Sequence, residues 1–94
     1  MNQPLVKLLR TNRLAYKTIG NETIILDTKI GKEVHQLNEV ASFVWNLCDG
    51  KHDLLDIINS VCDEFEIDSQ TATGDVENLV NELKTKSLLV ESTN

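Results

Sequence analysis

Near its start the chain carries two short stretches of β-type pattern, and from about residue 38 its apolar positions recur at helical spacing. Residues 13–19 and 22–28 are rich in β-favouring side chains: Tyr16, Thr18 and Ile19, then Thr23, Ile24, Ile25 and Leu26. Gly20-Asn21 between them is a two-residue connection that tolerates positive φ, and it predicts a tight hairpin. Lys29-Ile30-Gly31 reads as a second turn and residues 32–37 as a third, shorter strand. The result is a three-stranded antiparallel meander. Residues 1–12 show no sustained period and read as an arm, with Leu5, Val6, Leu8 and Leu9 available for packing.

Asn38 is a good N-cap for a first helix whose stripe is Val40, Ala41, Val44, Trp45 and Cys48, widened by Phe43 and Leu47. Gly50 stands where a left-handed residue closes a helix. Asp53 caps a second helix with Leu54, Ile57, Ile58, Val61, Cys62 and Phe65 on its apolar face, and Asp56 completes the cap. Asp68 or Ser69 starts a third, with Ala72, Val76, Leu79, Val80 and Leu83. Gly74 costs about 1 kcal/mol there, so fraying of the first turns is expected. Ser87 ends this helix, and Leu88-Leu89-Val90 pack back as an extended tail. The order strand-strand-strand-helix-helix-helix is that of an α+β domain, a three-stranded antiparallel sheet followed by three helices in a winged helix-turn-helix-like arrangement.

With 94 residues, 40% apolar and 26% charged, the chain has room for one domain and one compact core, but not for a deep substrate cavity as well. No apolar run approaches the ~20 residues that cross a bilayer, and residues 1–10 lack a signal-peptide pattern, so a cytoplasmic location is expected. Charge is uneven. Through Lys32 there are six Lys/Arg against two acidic residues, whereas from Glu33 onward there are three against thirteen, for a net −6. The acidic helical half disfavours a phosphate backbone as the main partner. Cys48 and Cys62 match no common zinc spacing and read as small buried hydrophobes.

Catalysis needs a nucleophile or acid/base group beside a partner that shifts its pKa. His35 sits on a short strand and His52 in a loop, neither inside a motif; Asp63, Glu64 and Glu66 splay around a helix end. No phosphate loop or metalloprotease signature is present, so neither enzyme activity, cofactor nor metal is expected. A DNA reader would need basic residues on one helix, but the second carries Asp56, Asp63 and Glu64 with no Lys or Arg. The alternatives left open are a DNA-binding regulator and a docking subunit with no peptide ligand.

One ordered set of residues is specific. Leu37-Asn38-Glu39-Val40-Ala41, Val44-Trp45, Leu47-Cys48-Asp49-Gly50 and Ile57-Ile58 are followed by Asp75-Val76, Leu79, Leu83 and Ser87-Leu88-Leu89. This resembles the PqqD family over about residues 14–91, so that residues 13–91 form the domain, with an arm before it and a tail at 92–94. Ser87 departs from a frequent family glycine, and a serine is expected to end the helix without a left-handed turn. The resemblance implies a non-catalytic module that binds the leader of a ribosomally made precursor peptide and presents it to a radical-SAM enzyme or a leader peptidase. It implies that the leader adds as a strand to the third strand, at Lys32, Glu33, Val34, His35, Gln36 and Leu37, in a groove walled by Val76, Leu79, Val80, Leu83 and Lys84. Which of those helical residues line the groove, and which the core, the pattern leaves open. Neither nucleic acid nor membrane is an expected partner, and the open edge allows a monomer or a weak dimer.

Overall fold

The computed structural model describes residues 6–12, 14–27 and 33–92. Along the chain run β1 (Lys7–Arg10), β2 (Ala15–Ile19), β3 (Glu22–Asp27), β4 (Glu33–Leu37), α1 (Glu39–Leu47), β5 (Asp49–Asp53), α2 (Leu54–Phe65), α3 (Ser69–Thr85) and β6 (Leu89–Ser92). The class is α+β, with the expected meander and three helices in the expected order.

The meander has the order β2-β3-β4. Ile19 pairs with Glu22 across Gly20-Asn21, and Gly20 has φ 61°, the arrangement of a type II′ hairpin. Strict alternation along β3 buries Thr23, Ile25 and Asp27 and exposes Glu22, Ile24 and Leu26. The Thr18 and Thr23 hydroxyls hydrogen-bond at 2.8 Å across the hairpin. Against the buried face packs α1, whose Trp45 is fully enclosed and meets Tyr16 edge to face, with ring centroids 5.4 Å apart.

The caps are those the pattern predicts. Asn38 accepts from the Ala41 N–H at 2.9 Å. Asp53 and Asp56 form a reciprocal capping box, 2.8 and 3.2 Å. Asp68 accepts from the N–H and hydroxyl of Thr71, and α3 runs unbroken from Ser69 through Gly74, so the expected fraying is absent.

A second sheet, of order β5-β1-β6, stands beside the meander where the sequence pattern predicts none. The segment read as an arm supplies its central strand, and Leu8 is in the core. Four residues are too few to display a period, and both partners of β1 lie far along the chain. Its neighbour β5 reads Asp-Gly-Lys-His-Asp, a string of poor strand formers, so His52 lies on a strand where a loop is expected. Pairing with β1 overrides that propensity. Gly50 is left-handed at φ 85°, as its position suggests, but it serves β5 and not the end of α1, which is capped by Cys48. Arg10 joins the two sheets: its guanidinium donates to the Trp45 carbonyl at the end of α1 (2.9 Å) and lies over the Tyr16 ring.

The end of α3 corrects a second expectation. Ser87 has φ 62°, its N–H donates to the Lys84 carbonyl, and the Leu88 N–H donates to the Leu83 carbonyl, both at 2.9 Å. This is a Schellman closure, with serine held in the left-handed region that glycine occupies at lower cost. It turns Leu88 and Leu89 back into the core and aims the chain into β6.

Candidate functional site

Strand β4 is hydrogen-bonded to β3 on one side, and no described strand lies on the other. Glu33, His35 and Leu37 stand opposite Asp27, Ile25 and Thr23 and share the face turned toward the helices; Val34 and Gln36 share the outer face with Leu26 and Ile24. In an antiparallel ladder alternate residues direct N–H and C=O away from their partner, so part of the β4 backbone is open to a further strand. The Leu37 carbonyl is taken up by the Ser42 hydroxyl at 3.3 Å. Gln36 donates to Glu22 at 3.1 Å and holds the strand to β3. The open stretch is therefore Glu33 to Gln36.

Where β4 ends, a hollow of about 380 Å³ opens between the start of α1 and one face of α3. Asn38, Val40 and Ala41 form one wall; Asp75, Asn78, Leu79 and Glu82 form the other. On a helix, residues 75, 79 and 82 lie one above another, beside the stripe formed by 72, 76, 80 and 83.

That geometry sorts the residues singled out from the sequence. Glu33, Val34, His35, Gln36 and Leu37 lie together on the edge strand, and Lys32 lies outside the described residues. Leu79 is half-buried at the hollow. Val76, Val80 and Leu83 are only 0%, 3% and 2% exposed and belong to the core, where α3 packs against α2. Lys84 lies on the far side of the helix, paired with Glu91 beside a separate hollow that also involves Leu54 and Glu77. Asn38, Val40, Ala41, Asp75, Asn78 and Glu82 are lining residues not singled out as such. The signal for those on α3 was helical phase: the polar positions that flank Leu79 at i−4, i−1 and i+3.

Burial pushes the Cys48 thiol up to about 12, with Arg10 opposing, so it stays protonated and donates to the Val44 carbonyl. Loss of solvation is the largest single influence on the Asp49 carboxyl and raises it, but hydrogen bonds from Lys51 and His52 together more than offset it and hold it below the usual range. Among the described residues no group of three His, Cys, Asp or Glu side chains is placed to hold a metal ion, and no helix is long and apolar enough to cross a membrane.

No curated protein sequence matches. Among solved structures, TbiB1 in complex with the TbiA(beta) leader peptide is similar with a TM-score of 0.78 at 23% identity, over 86% of this chain and 93% of that one. The heterocyclase TruD is similar with a TM-score of 0.66 at 12% identity; the likeness covers 93% of this chain but only 12% of that enzyme. At these identities the two likenesses establish the fold. The sequence itself matches the family model described as coenzyme PQQ synthesis protein D over residues 22–89, most of the chain, and on that match the protein belongs to the PqqD family.

Proposed function

We propose that this protein is a non-catalytic module that binds the leader segment of a ribosomally made precursor peptide as an added strand on β4 and presents it to a modifying enzyme. The observation that carries the reading is the open edge at Glu33–Gln36, on a strand that ends at the hollow beside Leu79. Family membership and the likeness to a domain solved with a leader peptide support it. A radical-SAM enzyme or a leader peptidase is the partner class that the family resemblance suggests.

Energetics divide the work. Each backbone hydrogen bond to an added strand is worth a net ~0.5–1.5 kcal/mol, and association costs ~4–15 kcal/mol in lost freedom. A strand this short gives little affinity by its ladder alone. Apolar side chains of the leader, each worth ~1.5–3 kcal/mol when buried, supply the rest. The ladder fixes direction and register; the hollow selects the sequence.

The test is titration of the isotope-labelled chain with the leader of a precursor peptide encoded beside its gene. The expected result is saturable amide shifts at Glu33–Leu37 and at Leu79. Saturable binding that leaves those residues unmoved would refute the assignment.

A further inference from the structure

The hollow carries more than an apolar floor. The Asp75 carboxylate makes no hydrogen bond or ion pair with any described residue. Among the described residues Glu82 is met only by Lys86, one turn further on, in an exposed contact of 3.0 Å that solvent weakens. The other polar side chains among the described lining residues are the carboxamides of Asn38 and Asn78, and no described Lys, Arg or His lines it. Leu79 stands between the two carboxylates along the helix, four residues after Asp75 and three before Glu82.

Spacing turns this into a pattern. Two turns of helix separate Asp75 and Glu82 by about 10.5 Å. In an extended peptide, side chains on one face recur about every 6.7 Å. A leader strand on β4 turns alternate residues toward the helices, on the face shared by Glu33, His35 and Leu37. For a strand that runs along α3, an apolar side chain over Leu79 brings the residue two positions before or after it within reach of a carboxylate. A lysine or arginine there is long enough to meet Asp75 and keep its head in water.

We infer, building on the peptide-binding reading above, that the groove selects leaders presenting a basic residue two positions from an apolar anchor, and that Asp75 receives the basic side chain. Anionic leaders are disfavoured by the same wall and by Glu33 on the edge strand.

The experiment uses the full chain and two synthetic probes. One is a short threonine-rich peptide with a central leucine and a lysine two positions to either side; the other has glutamate in place of lysine. Amide shifts locate binding and titrations give affinity, at low and at high salt. The lysine peptide is expected to shift Glu33–Leu37 and to bind about tenfold more tightly than the glutamate peptide, with the preference shrinking at high salt. Asp75→Asn is expected to weaken the lysine peptide about threefold and to leave the chain folded, because Asp75 is exposed. Equal affinities, with both peptides shifting Glu33–Leu37, overturn the basic preference while strand addition stands. Shifts confined to other elements, or none from either peptide, overturn strand addition and the preference with it.

Discussion

Val76, Val80 and Leu83 lie on one face of α3, and Asp75, Leu79 and Glu82 lie on the face beside it. The first set is packed into the core against α2; the second borders the hollow at the end of β4. Leu79 and Val80 are adjacent in sequence and similar in chemistry, yet Leu79 is half-buried at the hollow beside α1 and Val80 is buried in the core. The difference is about 100° of helical rotation, which no count of apolar residues reveals. A groove in so small a domain is thus an unfilled margin of its core.

Acidic substitution on the core face gives the largest contrast. Val80→Glu or Leu83→Glu places an unpaired charge in the interior at a cost of about 3–5 kcal/mol, a large share of what a domain this size possesses. Loss of the cooperative thermal transition is the expected outcome. A well-folded Val80→Glu protein would mean that the face is not core. On the neighbouring face, Leu79→Ala is expected to keep the transition within a few degrees and to weaken leader binding about tenfold by calorimetry, or about 1.4 kcal/mol. Unchanged affinity would detach the hollow from recognition.

A smaller effect comes from the end of the same helix. Ser87→Gly relieves a left-handed backbone worth about 1 kcal/mol, so the midpoint is expected to rise by about 4–8 °C with leader affinity unchanged. A fall would show that the serine side chain stabilises this turn. The smallest effect lies at the other end. The N–H and hydroxyl of Thr71 hold the Asp68 carboxyl below its ordinary 3.8. A lowered folded-state value adds stability above about 3.8 that is lost as pH falls through the folded value. Asp68→Asn, which keeps a capping oxygen but does not titrate, is expected to flatten the acid limb slightly in a pH series of melts.

What was legible in the sequence was local. The Gly20-Asn21 hairpin, the Asp53–Asp56 box and the Asn38 and Asp68 caps are set by neighbours a few residues apart, and all are present. The edge strand followed from the meander. What escaped depends on partners far along the chain: β1 is a strand only because it meets β5 and β6, and β5 only because it meets β1. Ser87 escaped for another reason. Its left-handed turn is imposed by where Leu88 and Leu89 must be buried, against the preference of serine itself.

The placement of β1 between β5 and β6 bears on the order in which the molecule assembles. The sheet with the open β4 edge pairs only near neighbours, so its loops close at little entropic cost and it can form early. The other sheet joins Lys7 to Ser92 and waits for β6. During synthesis the hairpin and the β4 edge would emerge before β6, the strand that pairs with β1. Until β6 arrives, β1 has only β5 to pair with, and Leu8 lacks part of its final cover. The strand β6 thus acts as the clasp of the fold, and a chain interrupted before Leu89 would display an open strand edge on a body not yet closed.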